Sequence, residues 1–266
     1  MCSPRRNMNG IAAFGRVLFA LAIVGFGIQH IVMQGNVVGV ELVPPWPPSH
    51  LVWTIVVTAI LLLCGLCIAL NRFAVIASLL LAALFLNAVI VLDLPKVMAK
   101  ILDLSERTRL FESLTFAAGA LIIAGLVAKG NRTSGLWRTA QVLALIGVWL
   151  FAISLVIFGI SHFIVPDFIA TLIPKWIPWR LFLAWFTGVA FVLAGISFAI
   201  RMLARSAALL LGLMFLSWVV VLHGPRIYVA LHNAAEWNSG LVALGMAGLC
   251  FALCGSTAAR RHLAWM

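Results

Sequence analysis

Eight uninterrupted apolar stretches, each near twenty residues, decide what this chain can become. They run over roughly 12–33, 51–71, 73–94, 110–128, 140–164, 181–200, 206–224 and 238–255. A helix of about 20 apolar residues crosses a bilayer core. Backbone groups in lipid must be satisfied within the spanning structure, so only helices and closed barrels qualify. Barrel strands alternate apolar and polar residues, whereas these runs are solidly apolar. The expected fold is therefore all-α, a polytopic membrane protein with eight transmembrane helices. Composition agrees: 64% of the 266 residues are hydrophobic and 9% charged, against about a quarter charged in a soluble domain. A soluble enzyme, a disordered chain and a disulfide-stapled secreted module are excluded. Arg5 and Arg6 precede the first run as in a signal peptide. That run is too long for one and no small-residue cleavage site is clear, so it is expected to remain as the first helix.

The formal net charge is +11, from 18 Lys and Arg against 7 Asp and Glu. The basic residues are scattered between apolar runs and form no nucleic-acid patch. Numbering the two faces by alternation separates the charges. One face takes Arg5, Arg6, Arg16, Arg72, Lys129, Arg132, Arg138, Arg201, Arg205, Arg260 and Arg261, and no acid. The other takes Lys96, Lys100, Arg107, Arg109, Lys175, Arg180 and Arg226 with all seven acids. Lys and Arg accumulate in cytoplasmic loops. Both termini are thus expected in the cytoplasm, with the chain in a cell inner membrane and the acidic end outward.

The halves resemble each other, with units over 11–128 and 138–256. Gly27-Ile28-Gln29-His30 aligns with Gly159-Ile160-Ser161-His162, and the Pro/Trp-rich 42–48 aligns with 172–178. The stretch 79–96 matches 209–226 without a gap at nine of eighteen positions, Phe85/Phe215 and Pro95/Pro225 among them. A six-residue length difference then brings Glu112 opposite Glu236. Four helices per unit is an even number, so the units are expected to be parallel. They would be related by a pseudo-twofold axis along the membrane normal, as in parallel transporter repeats.

The pattern Gly159, His162, Phe163, Pro166, followed by Ile173, Pro174, Trp176 and Pro178, resembles DoxX-like membrane proteins, which are four-helix units. The second half, about 140–255, carries the fuller pattern. In the first half Ile31 stands in place of the Phe, and no Pro lies four residues after His30. The resemblance implies a tandem fusion of two such units. It also implies work in a membrane redox complex: one branch of the family is a subunit of a thiosulfate–quinone oxidoreductase.

Polar residues of both halves collect in one layer. His30 and His162 lie late in spans one and five, Asp93 and His223 end spans three and seven, and Glu112 and Glu236 open spans four and eight. Ionisable groups at membrane depth are costly and normally face the bundle interior or water. These six are the candidate catalytic residues, with His162, His223 and Glu236 expected to be the active set because the second half keeps more of the pattern. Trp46, Trp176, Arg180 and Arg226 at the same face are candidates for holding a substrate. A plainer account exists for each feature. Trp residues form the aromatic belt of any membrane protein, and His near a helix C-terminus or Glu near an N-terminus suits the helix dipole.

Cys64-Gly65-Leu66-Cys67 is a C-x-x-C, and Cys250 and Cys254 lie at similar depth. Cysteine also packs as a small apolar residue, and that reading is preferred; no metal is expected. Gly-rich phosphate loops, H-E-x-x-H, C-x-x-C-H and Gly-x-Ser-x-Gly are all absent from the sequence. The function expected is a membrane subunit of a quinone-linked redox complex, with quinone as the possible cofactor. Its partners would be membrane lipids, a lipid-soluble small molecule and a soluble oxidoreductase subunit supplying electrons. The alternatives are an acid/base enzyme acting on a lipid or isoprenoid, and a non-enzymatic scaffold or chaperone.

Overall fold

In the computed structural model, residues 10–33, 39–43, 50–128 and 135–258 are described. Trp46, Pro44, Pro45, Pro47, Pro48, the 129–132 linker, Cys2, Arg5, Arg6, Arg260 and Arg261 lie outside them. The described chain forms α1 (Gly10–Val32), α2 (His50–Ala69), α3 (Ala74–Ala88), α4 (Leu94–Ala99), α5 (Leu104–Val127), α6 (Gly135–Ile164), α7 (Pro166–Leu172), α8 (Arg180–Ile200), α9 (Ala204–Trp218), α10 (Gly224–Val229) and α11 (Ala234–Ala258). Among the described residues, eight helical spans are long and apolar enough to cross a membrane, α3–α4 and α9–α10 each counting as one. The protein is an all-helical, multi-pass integral membrane protein.

Two spans run further than their apolar runs suggest. Pro95 and Pro225 look like stops at the ends of the runs 73–94 and 206–224. Instead the helix passes through a π turn, Val89–Asp93 in one span and Val219–His223 in the other, and continues as α4 and α10. Leu94 N–H reaches back to Val89 O, and Gly224 N–H to Val219 O. The wider turn absorbs one extra residue just before proline, whose missing N–H would break a regular ladder. It also sets Asp93 and His223 at a local irregularity. Span four likewise begins six residues before the expected 110. Asp103 caps α5, accepting from Ser105 N–H at 2.9 Å and from Ser105 Oγ–H at 2.7 Å. Those bonds, led by the Ser105 hydroxyl, hold the Asp103 carboxyl below its ordinary range.

Helix starts follow one offset. α3, α5, α9 and α11 begin at 74, 104, 204 and 234, and the π turns begin at 89 and 219, each pair 130 apart. The tight turns match as well: Asn71 and Phe73 are left-handed, as are Arg201 and Leu203. The six-residue length difference between 96 and 112 therefore does not exist. Glu106, not Glu112, occupies the place of Glu236. The weak sequence likeness of α5 and α11 hid this, because a shared Glu was the only polar marker to align on.

Packing respects the same exchange. α1 packs on α11 and α2, α6 on α5 and α8, α3 on α5, α9 on α11, and α5 crosses α11. Swapping α1 with α6, α2 with α8, α3 with α9 and α5 with α11 turns the first six of these contacts into one another and the α5–α11 crossing into itself. In the first half the core centres on Phe116, whose ring meets Phe26 at 5.0 Å, Phe85 at 5.4 Å and Phe19 at 5.8 Å. In the second, Phe191 meets Phe215 at 5.5 Å and Trp218 at 5.9 Å.

Candidate functional site

The acidic end carries two unlike polar clusters. The first is assembled by α1, α5, α11, the π turn at 89–93 and the segment 39–43. An ion-pair chain forms its outer edge. Lys96 Nζ lies 2.5 Å from Glu41 Oε2, Arg109 bridges Glu41 at 3.5 Å, and Arg109 pairs with Glu106 at 2.7 Å. Four alternating charges on partly exposed side chains neutralise one another without losing all contact with water.

Beneath this edge lie the uncharged and acidic members. Asn238, 5% exposed, ties the segment 39–43 to the bundle: its Oδ1 accepts from Val40 N–H at 3.1 Å. Its Nδ2 donates to Glu112 Oε2 at 3.4 Å. Gln29 donates to Ala234 O at 2.8 Å, bridging α1 to the start of α11. Asp93 is 3% exposed, with Ser113, Lys96, Glu41 and Arg109 as its polar neighbours and Glu112 close enough to interact. Among the described residues its Oδ2 is buried without a hydrogen-bond partner. A buried acceptor left unpaired costs about 1–3 kcal/mol, so this oxygen is a site of stored chemical capacity. His30, 2% exposed, sits one residue beyond Gln29 on the same helix.

The second cluster is smaller. Arg226, in the position of Lys96, pairs with Glu236 at 2.7 Å, and His223 lies within electrostatic reach of both. Among the described residues Glu236 Oε2 and His223 Nδ1 are buried without hydrogen-bond partners. His162 does not join them. Its Nδ1–H donates to Phe158 O at 2.8 Å, one turn back on its own helix, and its ring meets the Phe191 ring edge-on at 5.1 Å. Its neighbourhood is aromatic, not ionic. Trp176 is 75% exposed. Arg180 borders a separate shallow cleft with Asp167, Thr171 and Trp179. The six candidate catalytic residues thus divide into Asp93 with Glu112, His223 with Glu236, His162 in its aromatic surroundings, and His30 buried in the last turn of α1. Of the four substrate-holding candidates, Arg226 joins the second cluster, Arg180 and Trp176 lie apart from it, and Trp46 falls outside the described residues.

Glu41, Gln29, Lys96, Glu106, Arg109 and Asn238 had no place in the sequence reading of the site. Lys96 and Arg109 served there only as topology markers. The one available signal was Gln29 beside His30 in an otherwise apolar helix. Asn238 carries none, because Asn at the start of an apolar run looks like an ordinary helix opening.

Cys64, Cys250 and Cys254 are buried and Cys67 partly so, and none of these four is in a disulfide. Among the described residues no three of His, Cys, Asp and Glu are grouped to hold a metal ion. No family model, curated protein or solved structure matches this chain.

Proposed function

We propose that this chain is the membrane subunit of a quinone-linked redox complex, built from two DoxX-like four-helix units, over 11–128 and 138–256. The observation that carries the reading is the buried pair Asp93 and Glu112 beneath the ion-pair chain Lys96–Glu41–Arg109–Glu106. Reducing a quinone to a quinol takes two electrons and two protons. The chain's own part is the protons: carboxylates at the edge of the apolar core exchange them with water through the half-exposed charges above. The electrons come from a soluble oxidoreductase partner docked at the acidic end. Arg226, Glu236 and His223 form a second proton-exchanging group in the other unit. The shared π turns, the equal 130-residue offsets and the exchange of helix contacts support the two-unit construction.

Organic extraction of the purified protein followed by mass spectrometry tests the reading. Close to one quinone per chain is expected. Protein that is intact by size exclusion but carries no quinone, and reduces none when its partner is supplied, overturns it. One observation favours a second reading. His162 lies amid the rings of Phe158 and Phe191, an aromatic setting of the kind that holds an isoprenoid cation. An isoprenoid product in place of quinone would favour it.

The positive-inside rule gives the orientation: both termini in the cytoplasm, the acidic end outside, and the protein in a cell inner membrane. A reporter at the C-terminus and one inserted at 100–103 are separated by five spans, an odd number. They should report opposite sides, with the C-terminal one cytoplasmic; the reverse assignment sinks this topology.

A further inference from the structure

The basic end of the second half holds a groove of about 330 Å³ between α6, α8, α9 and α11. Val148, Trp149, Phe198 and Leu253 form apolar walls, and Arg201 and Arg205 stand at its edge. Its origin is one substitution between the halves. Gly15 and Gly147 both pack against a neighbouring helix backbone, so Arg16 and Val148, each the next residue, hold equivalent places on α1 and α6. Ile68 and Phe198 are equivalent on α2 and α8 by the 130 offset. In the first half the long Arg16 side chain, 8% exposed, fills this place. It donates to Ile68 O, and at 2.8 Å to Ala69 O, satisfying carbonyls at the end of α2. In the second half the short Val148 leaves the place open. The arginines there lie at the rim, Arg201 capping the end of α8 and Arg205 in the first turn of α9.

We propose that this groove holds a phospholipid with an anionic headgroup. Its acyl chain lies along Val148, Trp149, Phe198 and Leu253, and its phosphate between Arg201 and Arg205. Three features select that occupant. The walls are apolar and open to the bilayer, where a hydrocarbon chain is the abundant filler. Guanidinium groups match phosphate oxygens in two-point geometry. And all seven Asp and Glu side chains of the sequence belong to the opposite end, so the local field favours a net negative headgroup over a zwitterionic one. The site is independent of the redox reading, since it lies at the other end of the bundle.

Native mass spectrometry of the full chain in detergent, titrated with phosphatidylglycerol or phosphatidylcholine, tests the site. Wild type is expected to retain one phosphatidylglycerol in preference to phosphatidylcholine. Arg205→Ala should weaken that binding about fivefold, equivalent to about 1 kcal/mol per arginine, and the Arg201→Ala/Arg205→Ala pair about 25-fold. Val148→Arg imports the first half's plug and should abolish the tight lipid. Arg72→Ala, at the same end but outside the groove, should leave it unchanged. Arg205 is exposed, so its loss leaves the fold intact even where Val148→Arg does not. Equal retention of the two lipids, or unchanged phosphatidylglycerol affinity in the double variant, overturns the proposal.

Discussion

Gly15→Leu is expected to prevent α1 from seating on α11, and so to lose the folded protein in detergent. A Cβ at Gly15 would lie 2.2 Å from Ala252 N and 2.4 Å from Gly248 O. Both are backbone atoms of the facing helix, which cannot rotate away as a side chain tip can. The contact continues on both sides: a Cβ at Gly248 would lie 2.3 Å from Phe19 N, and one at Gly255 2.4 Å from Ala12 N. Helices in lipid gain little from burying apolar surface, and their association rests on close packing through small residues. Separating the backbones by the width of a Leu side chain therefore removes the whole interface. Overpacking in a well-packed core costs about 1–3 kcal/mol, and more where backbone must shift; this site belongs to the upper extreme. Gly10→Leu makes the same chemical change on the same helix with nothing within 4 Å. The measurement is the thermal midpoint by fluorescence-detected size exclusion. Gly15→Leu should aggregate or melt far below wild type while Gly10→Leu matches it. Equal midpoints for the two variants would mean that α1 and α11 do not meet as described.

Much of this architecture is legible in the sequence because lipid imposes a coarse, strong code. Span number follows from apolar length alone, and the 79–96/209–226 match already carries the offset that the helices obey. What the sequence concealed has local causes. Pro95 and Pro225 read as helix ends, since nothing in the residue pattern announces a π turn that carries a helix past proline. The start of α5 was hidden by its charges. Glu106, Arg107 and Arg109 look like loop residues, yet Glu106 and Arg109 pair with each other and Asp103 caps the first turn, so the helix begins earlier. Alignment on Glu112 then misassigned its counterpart. The site was legible as a depth, not as a set of partners. Apolar periodicity says which residues share a layer, but Asn238 meeting Glu112 joins positions 126 apart on helices from different halves. That pairing depends on α5 crossing α11, which no local pattern encodes. The fuller motif around His162 likewise drew attention to the second half, while burial and polar density concentrate in the first.

Under the proposed redox function, Asp93→Asn is expected to lower quinone reduction by about 10²–10⁴-fold, the usual contribution of a positioned acid–base group, with bound quinone retained. The substitution keeps the side chain's shape and its place beside Ser113, and removes only the capacity to carry a proton between water and the apolar core. Asp93 is the member of the layer with the strongest claim to that role. It is buried, one of its oxygens is unpartnered, and Glu112 and the Lys96–Glu41 pair lie beside it. Glu236 has similar chemistry, but its direct 2.7 Å pair with Arg226 commits one oxygen to a fixed charge. Glu236→Gln should therefore cost less, within about tenfold. His162→Ala should also cost little for quinone reduction, because that imidazole donates to its own helix and faces an aromatic ring. Lys96→Met supplies the control for the route. It leaves Asp93 in place and strips one of the half-exposed groups above it, so turnover should fall and become more dependent on pH while quinone binding holds. Activity that survives Asp93→Asn but disappears with His162→Ala would move the chemistry to the second half and leave the buried carboxylate pair as a structural tie between α5, α11 and the π turn.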